Sequence, residues 1–284
     1  MTVAIVVKIW DGIALAADSA TTLRLDDGSS QVYNSANKIF HLHRELPIGA
    51  MTWGLGSIGP ASIATLTKDL RARLMGRDAA HKDWELDPDT YTVEGVANRL
   101  VEHLHGELFS QVFGTHNPPP GGLGMLVAGY SAGEQSAEGW VVEISDPAVT
   151  PLPTLTIPRD GAGWVSFAQP AATQRLWFGV DQELVGQLEA ALDPPEWQKI
   201  QPVIQAYANG TSPVWAGMPL QDAINLAQFM VDATAGFTHF LLGPNTVGGP
   251  TEVASISRHE GFKWIHRKHY YDPSINPRET GHAS

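Results

Sequence analysis

The 284-residue chain contains no cysteine, which excludes a disulfide framework, a thiol nucleophile and any thiolate metal site. Basic residues are scarce: 18 Lys and Arg stand against 30 Asp and Glu, a formal net charge of −12. That balance disfavours general affinity for nucleic acid and favours solubility. No apolar run approaches the ~20 residues of a membrane span, and no basic segment leads into an apolar one as in a secretory leader. The expectation is therefore a cytoplasmic protein with neither nucleic acid nor membrane as partner. HExxH is also missing, which removes the commonest zinc peptidase arrangement. Internal repeats and low-complexity linkers are absent too.

Hydrophobic residues make up 43% of the chain, enough for a large core. Eleven histidines invite a metal reading, but His103 and His105 stand two apart on a predicted helix and point to different sides. They are expected to be solvated or rim histidines, and neither a metal nor a cofactor is expected. Gly54-Leu55-Gly56-Ser57-Ile58-Gly59 fits a sparse GxGxxG template without the strand–helix–strand context that gives that template meaning.

The informative part is the beginning. Thr2 follows Met1 and is small enough for Met1 to be removed by an aminopeptidase. A terminal threonine carries a hydroxyl and a free amine on one residue, a nucleophile with its own base. An α-amine titrates near pH ~8, so a modest downward shift makes it an effective base at neutral pH. Thr2 to Lys8 and Ile13 to Ser19 are short, mostly apolar runs split by the Asp11-Gly12 turn signal, and they predict a buried hairpin. The hairpin brings Asp18, at the end of its second strand, beside Thr2. Lys38 opens a further strand, Lys38-Ile39-Phe40. The partner strand, Ile48 to Gly56, ends in glycines that allow close backbone approach to a ligand and an N–H aimed at an oxyanion. A lysine beside the hydroxyl favours the alkoxide, and Asp18 balances that lysine's charge.

Thr2, Ala16-Ala17-Asp18-Ser19, Lys38-Ile39-Phe40 and the Gly49…Gly54-Leu55 step together resemble a proteasome β-subunit or one of its bacterial homologues. Leu126 to Tyr130, Trp140 to Pro147, Gly248-Gly249 and Val253 to Ile265 continue the resemblance, which covers roughly residues 2–265. It implies an α+β fold, a four-layer αββα sandwich of two antiparallel sheets flanked by helix pairs. It implies Thr2 as nucleophile, its α-amine as base, Lys38 and Asp18 as its activating pair, and the Gly54 N–H as oxyanion donor. Ala36, Thr52 and Gly56 fall where that family lines its substrate pocket. Two segments depart from the family pattern: Gly179 stands where a serine is expected, and Asn245-Thr246-Val247 replaces an aspartate and serine before the Gly-Gly pair. Asp181, Asn245 or Thr246 is expected to support the amine in their place.

The resemblance further implies a homo-oligomeric ring, peptide or unfolded-protein substrates and room for an ATP-dependent unfoldase. The alternatives are an amidase of the same chemistry acting on a small amide, and a non-catalytic scaffold subunit. One domain is expected across 1–284, with insertions at about 76–91 and 194–214 and a polar tail at 266–284. The spacing predicts helices over 58–75, 92–113, 181–192 and 221–235, another within 194–214, and strands over about 123–168.

Overall fold

Residues 3–17 pack tightly because nearly every side chain in them is apolar and buried, and the Trp10-Asp11-Gly12 corner folds them into the expected hairpin. The structure, a computed structural model, describes residues 2–24, 30–114, 121–242 and 246–268. Its strands are β1 (Ala4–Ile9), β2 (Gly12–Ala17), β3 (Thr21–Arg24), β4 (Ser30–Tyr33), β5 (Ile39–His41), β6 (Ile48–Gly54), β7 (Ser57–Ile58) and β8 (Ala61–Ser62). Further along come β9 (Leu123–Gly129), β10 (Glu138–Ile144), β11 (Thr154–Ile157), β12 (Gly163–Phe167), β13 (Glu252–Ser257) and β14 (Gly261–His266). The helices are α1 (Ile63–Leu74), α2 (Val93–Val101), α3 (Ser110–Phe113), α4 (Ala171–Phe178), α5 (Gln182–Ala191), α6 (Pro194–Gly210) and α7 (Leu220–His239).

The chain is α+β with antiparallel sheets. Two five-stranded sheets run in the orders β12-β1-β2-β13-β14 and β11-β10-β9-β6-β5. Three apolar clusters account for the burial. Ala4, Val6, Ile13 and Leu15 share one cluster with Ile39, Met51, Leu126 and Ala128 of the other sheet. The alternate residues Val3, Ile5, Val7 and Ala14 pack with Ala227, Met230 and Val231 of α7. On the far side of the second sheet, Ile48, Val127 and Val142 meet Leu66, Leu70, Val96 and Leu100 of α1 and α2. Period-two alternation therefore works with both faces covered, which is why β1 and β2 read as unbroken apolar runs.

Several expectations need correction. The first helix starts at Ile63, not at 58, because Gly59-Pro60 forms a turn between β7 and β8 and the Ser62 hydroxyl accepts from the Thr65 N–H at 3.2 Å. The stretch after Gly76 is more than a surface loop. A 3₁₀ turn over Ala79–Trp84 buries Trp84 between the guanidiniums of Arg73 and Arg99, 5.0 and 4.9 Å from its ring. His103 and His105 are both buried, not solvated. Between α2 and α3 the helix widens to π geometry over Glu102–Phe109. His103 there reaches the Leu66 carbonyl at 3.1 Å, and His105 reaches that of Asp146 at 3.1 Å. The sequence expectations did not include α4 or the β3–β4 hairpin. A helix does occupy 194–210, as expected. Among the described residues, no helix is long and apolar enough to cross a membrane, and no group of three or more His, Asp or Glu is placed to hold a metal ion.

At the end of β5, His41 stacks on Phe262 with ring centroids 4.5 Å apart. Burial, reinforced by the nearby Arg71 cation, pushes its pKa from 6.5 down to about 4. Below 6.5 the unfolded chain takes up a proton here that the folded chain refuses, so this contribution is complete above 6.5 and is lost as the pH falls towards 4. Denaturant titrations at pH 7 and pH 5 should show wild type losing about 1 kcal/mol more than His41→Gln, allowing for solvent screening of a half-buried ring. Equal losses in the two proteins would contradict this.

Candidate active site

Asp18 directly follows β2 and faces back across the hairpin. Its Oδ1 accepts from the Val3 N–H at 3.0 Å, and its Oδ2 accepts from the Ala20 and Gly248 N–H groups at 3.1 and 3.0 Å. Lys38, leading into β5, completes the set. Its Nζ donates to Asp18 Oδ1 at 2.6 Å and to Thr2 Oγ1 at 2.9 Å. Thr2, Asp18 and Lys38 are 4%, 1% and 4% exposed, so this ion pair and hydroxyl are nearly cut off from water. Burial pushes the Lys38 ammonium below its ordinary pKa, Asp18 pulls it back up, and the neighbouring Lys268 cation adds to the lowering. A hydroxyl is thus held against a desolvated ammonium whose charge is balanced by one fully hydrogen-bonded carboxylate.

A cavity of about 500 Å³ opens over this trio. Ala36, Thr52, Gly54 and Gly56 all line it, with Thr21 and Tyr33 of the β3–β4 hairpin. The Thr52 hydroxyl donates to the Gly124 carbonyl at 3.2 Å, which fixes its rotamer. Gly54 has φ of +83°, and a Cβ there would lie 2.1 Å from the Gly122 carbonyl oxygen. Only glycine turns the chain at this rim. Among the residues expected at the site, the structure brings together Thr2, Asp18, Lys38, Gly54, Ala36, Thr52 and Gly56.

The expected amine supports behave differently. Asp181 is the N-cap of α5, its Oδ1 accepting from the Leu184 N–H at 2.9 Å and its Oδ2 from Arg175 Nε at 2.5 Å. The Leu184 N–H, together with Arg175, holds this carboxyl below the usual range. It is spent on the helix end and does not line the cleft over Thr2. Thr246 is buried next to Val247, just before the Gly248 that binds Asp18. Asn245 and Met1 lie outside the described residues.

Two charged neighbours escaped sequence reading. Glu252, at the start of β13 and 1% exposed, accepts from the Lys38 main-chain N–H through Oε2 at 3.1 Å. Lys268, just past β14, donates to Ser19 Oγ at 2.6 Å and to the Ala36 carbonyl, and lies 3.8 Å from Glu252 Oε1. Neither belongs to a motif, and both reach the site from the far end of the sequence. The Gly248-Gly249-Pro250 segment straps the same corner. The Ser19 N–H donates to the Gly248 carbonyl at 2.9 Å, and the Ser19 hydroxyl donates to that of Pro250. Gly249, at φ +75°, passes so close to Asn34 that a Cβ would sit 2.6 Å from its carbonyl oxygen.

Removing the carboxylate strands a buried ammonium and three backbone N–H groups at once. Asp18→Ala should therefore cost about 3–5 kcal/mol in a denaturant titration, and Asp18→Asn, which keeps an acceptor, clearly less. A loss below about 1 kcal/mol for Asp18→Ala would show that the pair is not uncompensated in its absence. Comparison with family models and with characterised proteins finds no match to this chain.

Proposed function

We propose that the chain is an N-terminal threonine hydrolase of proteasome type that cleaves peptide bonds once Met1 has been removed. The observation that carries this reading is the Lys38 ammonium donating to both Thr2 Oγ1 and Asp18 Oδ1 at the floor of a cleft. Thr2 Oγ attacks the scissile carbonyl while the freed α-amine takes the hydroxyl proton and returns it to the leaving amine. Lys38 stabilises the developing alkoxide electrostatically, more effectively for being out of water. The Gly54 N–H receives the oxyanion, and water then releases the acyl group from Thr2. Ala36 and Gly56 leave space for a sizeable substrate side chain, with Thr52 at the wall.

The order of the three apolar clusters supports a four-layer αββα sandwich, the architecture that goes with this chemistry. Exposed Val203 and Tyr207 on α6, with Phe240 and Leu241 after α7, form apolar surface suited to a neighbouring copy. On the family resemblance, the proposed assembly is a homo-oligomeric ring enclosing the clefts, with unfolded protein or peptide as substrate and an ATP-dependent unfoldase as a fitting partner.

The test is cleavage of a panel of fluorogenic peptides by protein with a verified Thr2 terminus. Thr2→Ala should abolish turnover, Thr2→Ser should retain much of it, and Lys38→Met should lower kcat by roughly 10²–10³. Unchanged cleavage by Thr2→Ala would remove the threonine mechanism. Unchanged cleavage by Lys38→Met would remove hydroxyl activation alone.

A further inference from the structure

Behind the catalytic corner lies a second cavity, of about 390 Å³. It sits where β5 and β14, the terminal strands of the two sheets, meet α1. Four cations line it: Arg44 after β5, Lys68 and Arg71 on α1, and Arg267 after β14. None of them forms an ion pair with a described residue, whereas Arg73, Arg99, Arg159 and Arg175 all do. The lining includes one carboxylate, Glu252, already engaged by the Lys38 N–H and facing Lys268. In a chain of net charge −12, this concentration of unpaired positive charge runs against the average surface.

Arg71 makes the point sharpest. It is only partly exposed, and burial with the like charges of Arg44 and Arg267 pushes its guanidinium below the ordinary pKa. Holding a half-buried cation among others is costly unless an anion completes the group. The same wall carries a second unmet demand, since His41 Nε2 is enclosed and has no hydrogen-bond partner among the described residues.

We propose that this cavity binds a small polyanion bearing phosphate or carboxylate oxygens, clamped by the forks of Arg71, Arg44 and Arg267. Guanidinium groups suit such ligands because two parallel N–H donors match two oxygens of one phosphate or carboxylate. The volume admits a molecule of pyrophosphate or citrate size. The proposal stands independently of the peptidase reading, because it uses none of that chemistry.

The probes are pyrophosphate and citrate, titrated calorimetrically into the full chain at constant ionic strength in chloride buffer. Saturable binding of one anion per chain is expected, weakened at least tenfold in Arg71→Gln and in Arg267→Gln. Lys199→Gln on α6 removes the same charge elsewhere and should bind as wild type does. The tighter of the two anions identifies phosphate or carboxylate as the source. Without anion, Arg71→Gln should melt no lower than wild type, since it relieves repulsion. Should that variant fail to fold, the exposed Arg267 still decides the matter. Absence of saturable binding by both anions, or equal weakening in Lys199→Gln, overturns the proposal.

Discussion

The buried contact between Lys38 and Asp18 sets the terms for everything around it. Two charges taken out of water cost several kcal/mol each, and mutual attraction repays this only when the remaining donors and acceptors are satisfied. Asp18 meets that condition with three main-chain N–H groups in addition to the ammonium. Each comes from a different constraint. The β1–β2 hairpin supplies Val3, the turn into β3 supplies Ala20, and the glycine strap before β13 supplies Gly248. Lys38 in turn spends its remaining reach on the Thr2 hydroxyl, the one neutral partner in the group. The fold can be read as the scaffold that keeps this small polar cluster dry and complete.

A second layer of charge surrounds the first. Glu252 fixes the Lys38 main chain, while Lys268 sits against Glu252, Ser19 and Ala36. Burial lowers the pKa of Lys268 too, with Glu252 and Asp18 opposing the shift. Two lysines and two carboxylates thus form a coupled quartet in which each cation feels both anions. The Lys38 ammonium therefore feels Glu252 and Lys268 as well as Asp18, and neither Glu252 nor Lys268 is hydrogen-bonded to Thr2.

The sequence made the Thr2, Asp18 and Lys38 grouping legible because it rests on local order. An Asp-Gly turn between two apolar runs brings Thr2 and Asp18 together within seventeen residues of chain. Glu252 and Lys268 were not legible, since ordinary charged residues more than 200 positions from Lys38 carry no local signal. His103 and His105 do turn to different partners, Leu66 and Asp146, as their spacing implied, but their burial was missed because the segments that cover them lie more than 35 positions away and leave no local signal. Asp181 carried a readable helix-cap signal, with Leu184 three residues on, and was over-read as part of the site. The β3–β4 hairpin, four residues a strand, was too short to stand out from the loop that it forms at the cleft rim.

The most direct measurement is the intact mass of the purified protein before and after a peptide epoxyketone, followed by mapping of the N-terminal peptide. That warhead closes a stable ring only on a residue bearing both a hydroxyl and a free α-amine. A threonine mechanism requires a chain lacking Met1 and a single adduct on Thr2. Retained Met1, or a free Thr2 that a range of epoxyketones leaves unmodified, would contradict it.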